Sequence, residues 1–279
     1  VLMRAFSNSL DYNNALYYGP FNALLVVPYT LESLPLAVNG GVLAHEYFHS
    51  LFHRIVLLNA PEENLQGNSE DKAGTSRVSI ERRRRDLTNY TLKRAYNEGI
   101  ADFWGYMYSG DSSFIDKSLS QDGFGREINS KLHRFYSRNE MDVAVRLYDD
   151  EKKLTGFAYR VGTDFSRFLK RWADLRIEAG ADRNEANKYV ARNIVAMLPE
   201  LRSQVLRSHT SGEVLETNHF IEIMMGKLQL LKTECDLVKF VYTGNNPSVG
   251  DCAVTKSTAG TAPSVAARPA FTVGQEGLQ

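Results

Sequence analysis

Apolar and polar residues follow two different periods along this chain. Near the start, Asn14-Ala15-Leu16-Tyr17-Tyr18 and Ala23-Leu24-Leu25-Val26-Val27 are short runs of strand-forming residues on either side of Gly19-Pro20, a turn signal. They predict an edge hairpin. Residues 31–36 read as a connector. Asn39 is a good N-cap, and Val42, Leu43, Tyr47, Phe48, Leu51 and Ile55 surround the axis that follows. A helix apolar on most sides is a buried helix, here running to about Leu58. Residues 59–87 read as a polar, loop-like insertion that ends in Glu81-Arg82-Arg83-Arg84-Arg85-Asp86. A second helix is predicted from Leu87 to Ser109, closed by Gly110-Asp111. Helical periodicity then returns near 125–138, 139–150, 155–178, 183–206 and 212–232. Residues 253–279, rich in Ala, Gly, Pro, Ser and Thr, predict a disordered tail.

This order predicts an α+β fold, predominantly helical. It divides into an edge-strand segment over 1–35, two central helices over 36–110 with the insertion 59–87 between them, a helical subdomain over 111–252, and the tail 253–279. Charge narrows the function. Lysine plus arginine and aspartate plus glutamate both number 33 in 279 residues, so no nucleic acid or anionic membrane is expected as partner. The four arginines are bracketed by carboxylates and read as a solvated segment or a site of proteolytic nicking. No apolar run approaches the ~20 residues of a membrane span. Val1 opens no recognisable signal peptide. Cys235 and Cys252 flank a polar, turn-rich stretch and predict a disulfide, hence an oxidising, secreted or periplasmic setting.

The chemistry gathers at His45-Glu46-Tyr47-Phe48-His49. Helical residues four apart share a face, so both imidazoles can bind one zinc ion while Glu46 reaches a water beside it. The third ligand sets the class. The pattern H-E-x-x-H-x-x-G-x-x-H needs Gly at 52 and His at 55, where this chain has Phe52 and Ile55. His53 lies two turns from His45, ~12 Å along one straight helix, and reads as a surface residue or an outer partner. Glu98 is the better ligand. It shares a helix face with Asp102, which can accept the free N–H of one ligating histidine, as Asn97 can for the other.

Val42-Leu43-Ala44-His45-Glu46-Tyr47-Phe48-His49 followed by Asn97-Glu98-Gly99-Ile100-Ala101-Asp102 resembles the thermolysin-like branch of the gluzincin zinc metallopeptidases. The resemblance implies a zincin-like catalytic domain with zinc on His45, His49 and Glu98, Glu46 as catalytic base, and Asp102 orienting His45. Asn14-Ala15-Leu16-Tyr17 has the form of the family's edge strand, which implies that Asn14 and Ala15 hold an extended peptide or protein substrate. The expected activity is zinc-dependent endopeptidase hydrolysis by a polarised water. The alternative is a weak or inactive zincin module that serves as a binding protein or a processed fragment. No calcium site is assigned.

The sequence departs from the family in three places. The span from His49 to Glu98 is long, and the 59–87 insertion accounts for the excess, as a lid or an activation loop. Few residues precede Asn14, which suggests a partner N-terminal domain or propeptide outside this chain. The family's oxyanion-stabilising histidine has no clear counterpart. Ala158-Tyr159-Arg160-Val161-Gly162-Thr163-Asp164-Phe165 resembles the H-x-x-G-x-x-[WF] helix of fungalysin-type relatives, with Tyr159 in the histidine's place. Tyr159 and Arg160 are therefore the expected oxyanion donor and substrate contact, with His209 and His219 as alternatives.

Overall fold

The computed structural model describes residues 15–26, 36–61, 77–118, 126–148, 151–243 and 252. Asn14, the centre of the insertion (62–76) and the expected tail 253–279 lie outside them. The described part is mostly helical with one small sheet, and none of its helices is long and apolar enough to cross a membrane.

The sheet is the hairpin of β1 (Ala15–Tyr18) and β2 (Ala23–Val26), antiparallel with Ala15 opposite Val26 and Tyr18 opposite Ala23. A single 3₁₀ turn over Gly19–Phe21 joins them, and Asn22 closes it in the left-handed region at φ 46°. Asparagine tolerates that conformation better than most side chains. Ala15 is buried, and β1 packs on α1 (Gly40–Phe52).

Asn39 starts α1 and also ties it to a distant loop. Its side-chain oxygen accepts from the Val42 amide at 3.2 Å, while its NH₂ donates to Phe114 O at 2.7 Å and Ser118 Oγ at 2.8 Å. The helix buries Val42, His45, Glu46, Phe48, His49 and Phe52 but leaves Tyr47 exposed, so it is apolar on one broad side. One π-helical turn, His53–Leu57, continues it; the Arg202 guanidinium approaches the carbonyls of Ile55 and Val56 at 3.5 and 3.3 Å.

The second helix, α2, runs from Arg77 to Ser109, ten residues longer at its start than the sequence suggested. Arg82 to Arg85 lie in its first turns. Arginine is a strong helix former, and that propensity outweighs the crowding of like charges. Against α2 lies α4 (Glu151–Glu178), the most extensive helix–helix packing among the described residues. Two glycines make it possible. A Cβ on Gly99 would stand 2.2 Å from Gly162 O, and one on Gly162 would stand 2.8 Å from Ala95 O. Only hydrogen fits at this crossing. Around it Phe165 packs on Tyr96 and Phe135, with ring centroids 4.7 and 4.5 Å apart, and Trp172 is fully buried further along α4.

Two expected helices differ. Residues 126–137 are irregular, and helix α3 begins only at Arg138 and ends at Leu147. Ser137 and Glu140 form a capping box that fixes this start: Glu140 N bonds Ser137 Oγ, and Glu140 Oε2 accepts from Ser137 N at 2.8 Å. The expected helix over 212–232 is a loop followed by α6 (His219–Lys227), with α7 (Lys232–Val241) beyond it; α5 (Arg183–Thr210) precedes both. Buried Glu234 explains the break. It accepts from its own cap amide, Leu231 N, at 2.7 Å, from Trp172 Nε1 at 2.7 Å and from Arg176 Nη2 at 3.0 Å. Cys235, the next residue, is joined to Cys252 by a disulfide.

Candidate metal centre

α1 and α2 cross so that one face of each meets beneath the hairpin. His45 and His49 are one turn apart on α1 and point to the same spot, with their Nε2 atoms 3.0 Å apart. From α2, Glu98 Oε2 stands 3.6 Å from His45 Nε2 and 3.8 Å from His49 Nε2. Ligands ~2.05 Å from a tetrahedral zinc would stand about 3.3 Å from one another. The three atoms bracket that spacing. Glu46 is also close, since His45, Glu46 and His49 offer ligand atoms within 4.8 Å of one another. All four residues are buried.

The outer nitrogens decide what the inner ones can do. His49 Nδ1 lies 2.9 Å from Asn97 Oδ1, and His45 Nδ1 lies 3.0 Å from Asp102 Oδ1. Asn97 holds a proton on His49 Nδ1 through a hydrogen bond, and the Asp102 carboxylate favours one on His45 Nδ1 by charge although their angle is too poor for a hydrogen bond, so each Nε2 turns a lone pair inward. Two lone pairs cannot face each other at this distance without a cation between them. A proton or a metal ion fits there, and a metal with borderline affinity for nitrogen and carboxylate oxygen fits the donor set.

The electrostatics agree with a shared cation. Burial alone would lower the His45 pKa, but the Asp102 and Glu98 carboxylates beside it lift it to about 9. Burial with its neighbour's charge leaves His49 at about 4. In the metal-free state the pair therefore holds one proton at neutral pH. Burial alone would raise Glu98, yet His49, His45 and Arg126 hold it well below the usual carboxylate range. Burial pushes Glu46 up to about 7, near the value suited to a group that takes and returns a proton at neutral pH.

Two arginines that the sequence did not mark also belong to the site. Arg126 donates to Asp102 Oδ1 at 2.6 Å, Asp102 Oδ2 at 3.2 Å and Glu98 Oε2 at 3.1 Å, and compensates two carboxylates that would otherwise be buried side by side. No local pattern marks it; its partners lie on another element. Arg94 precedes Glu98 by four residues on α2, and that spacing was a usable signal.

A cavity of about 400 Å³ opens over this group. Its wall includes Ala15, Leu16 and Tyr17 of β1, Phe114 and Ile115, and Arg94, Arg126 and Tyr159. Tyr159 comes from α4. Its hydroxyl accepts from Arg94 Nη2 at 3.3 Å, and the Arg126 guanidinium lies 4.6 Å from its ring centre. The charge of Glu98, then burial, raises the Tyr159 pKa, so the phenol stays protonated and able to donate. His53 is also in the wall, 5.8 Å from the Tyr17 ring. Arg160 is not there. It is exposed on the next face of α4 and stacks over Tyr148 and Phe157, away from the metal centre. His209 and His219 do not line the cavity. Comparison with protein-family models, curated proteins and solved structures finds no match to this chain.

Proposed function

We propose that the chain is a zinc-dependent endopeptidase built on the thermolysin-like gluzincin plan. One observation carries this reading: two histidine Nε2 atoms and a Glu98 oxygen converge within 3.8 Å, each histidine is backed by its own acceptor, and buried Glu46 stands beside them. His45, His49 and Glu98 would hold the ion. When bound, zinc supplies a Lewis acid and lowers the pKa of a water from 15.7 towards ~7.

This chain's own residues do the rest. Glu46 accepts a proton as the water oxygen bonds to the scissile carbonyl carbon. It then returns that proton to the amide nitrogen as the C–N bond breaks. Tyr159 donates to the developing oxyanion, with Arg126 against its ring. β1 lies along the cavity, where an extended peptide can pair with its backbone. The Cys235–Cys252 bond suits secretion into an oxidising compartment.

Zinc analysis and peptide cleavage on the same preparation test this. Wild type should carry one zinc per chain and cleave peptides until a chelator is added. Glu46→Gln should keep its zinc and lose at least ~100-fold in rate. Glu98→Ala should lose the zinc. A zinc-loaded wild type that cleaves no member of a broad peptide library would overturn the enzyme reading in favour of a binding module.

A further inference from the structure

The two arginines of the cavity are in opposite situations. Arg126 is saturated by Glu98 and Asp102. Arg94, half-buried on α2, has no carboxylate within 4.0 Å among the described residues, and its hydrogen bonds reach only two phenol oxygens. Those bonds are long, 3.4 Å to Tyr90 and 3.3 Å to Tyr159. Its Nε is buried and has no hydrogen-bond partner among the described residues. A guanidinium offers five N–H groups in a planar fork that matches a carboxylate. Withdrawing such a charge from water without a counter-ion is costly, and a helix facing solvent elsewhere had no need to place it here. Glu98 is the acid in the wall whose charge reaches Arg94, and that charge is already shared among His45, His49 and Arg126.

We propose that Arg94 is a specificity-determining residue that binds a carboxylate of the substrate. This rests on reading the cavity as a peptide site and names its substrate class: peptides with a free carboxylate close to the bond that is cut. The distance follows from the helix. Four residues of α2 separate Arg94 from Glu98, a rise of ~6 Å, and an extended peptide advances ~3.4 Å per residue. The carboxylate therefore belongs within about two residues of the scissile bond. An acidic side chain and the C-terminal α-carboxylate present the same chemistry, and the arms of the test separate them.

The test measures binding on the Glu46→Gln variant of this chain, so hydrolysis does not interfere. Three fluorescent peptides of one sequence are titrated by anisotropy: Gln inside with an amidated C-terminus, Glu inside with an amidated C-terminus, and Gln inside with a free C-terminus. At least one of the two acids should bind about tenfold tighter than the neutral peptide or better. Which one does so identifies the source. Adding Arg94→Gln should bring the acid-to-neutral ratio to about one, and Arg94→Lys, which keeps charge without the fork, should fall between. The Arg94-dependent part must persist when zinc is removed by a chelator, since zinc itself attracts carboxylates. A ratio of one in the parent, a ratio that survives Arg94→Gln, or one that vanishes with zinc removal overturns the proposal. If Arg94 merely positions Tyr159, the ratio stays fixed when Arg94 is changed. An Arg94-dependent ratio in a wild type that cleaves nothing would sink the peptidase reading and leave the carboxylate site standing. Cleavage indifferent to acids would do the reverse.

Discussion

Replacing Gly99 with alanine tests the claim that the α2–α4 crossing sets the geometry of the centre. In an open helix the change would help, because alanine is favoured over glycine by ~1 kcal/mol. Here the new methyl would meet Gly162 O at 2.2 Å and Phe165 Cβ at 2.9 Å. Ordinary contact begins at 3.4 Å, so α4 must retreat by about 1 Å. A gap of that size forfeits a quarter to a half of each dispersion contact across it. Tyr96, Val161 and Phe165 each stand to lose about 1 kcal/mol, so the net cost is about 2–3 kcal/mol. Gly162→Ala, whose methyl would meet Ala95 O at 2.8 Å, needs a smaller shift and should cost about 1 kcal/mol. Urea denaturation of both variants, with and without zinc, gives the numbers. Because Tyr159 rides on α4 and Glu98 adjoins Gly99, peptide turnover in Gly99→Ala should fall about 100-fold if the enzyme reading holds. A Gly99→Ala protein with a urea midpoint at or above the wild-type value would refute the packing argument.

Asp102→Asn should weaken zinc 10–100-fold in competition with a chelator of known affinity, because His45 loses the anion behind it; an unchanged constant would remove Asp102 from the centre. His45, raised to about 9 against an ordinary 6.5, binds its proton more tightly in the folded chain. That stabilisation is complete below 6.5 and is lost as pH rises through about 9. Zinc uptake at pH 7 should accordingly release about one proton, read by calorimetry in buffers of different ionisation enthalpy. Converting Cys235 and Cys252 to serine opens a loop with a separation of 17 residues, and should lower stability by about 3 kcal/mol without changing zinc content.

The elements visible in the sequence were those with local causes. The hairpin turn, the Asn39 cap and the spacing of the HExxH turn each depend on a few neighbouring residues. The start of α2 was not visible, because a run of arginines reads as solvated loop when the helix it joins is ignored. Residues 126–137 carry apolar side chains at helix-like spacing, yet Phe135 N donates to Val241 O at 2.8 Å and Thr217 holds the next carbonyl, so tertiary pairing overrides the local pattern. Arg126 is the extreme case, since only the juxtaposition of Glu98 and Asp102 requires a cation there. Tyr159 and Arg160 show the limit of reading neighbours as a pair: adjacent helical residues point ~100° apart, and only Tyr159 faces the cavity.

The cavity is hard on one side and soft on the other. α1 and α2 are long, mutually buried and locked by Asp102, Asn97 and the Asn39 clasp. The opposite lip is a ribbon of two four-residue strands, braced by Ala15 on α1 and His53 beneath Gly19. So short a ribbon has little stability of its own. The hairpin is therefore the side of the cleft expected to yield, with amide exchange in β1 running ahead of that around His45 and Glu98. Tyr17 and His53 line the cavity from that lip, so substitutions there should change the rate at which a ligand exchanges before they change metal content.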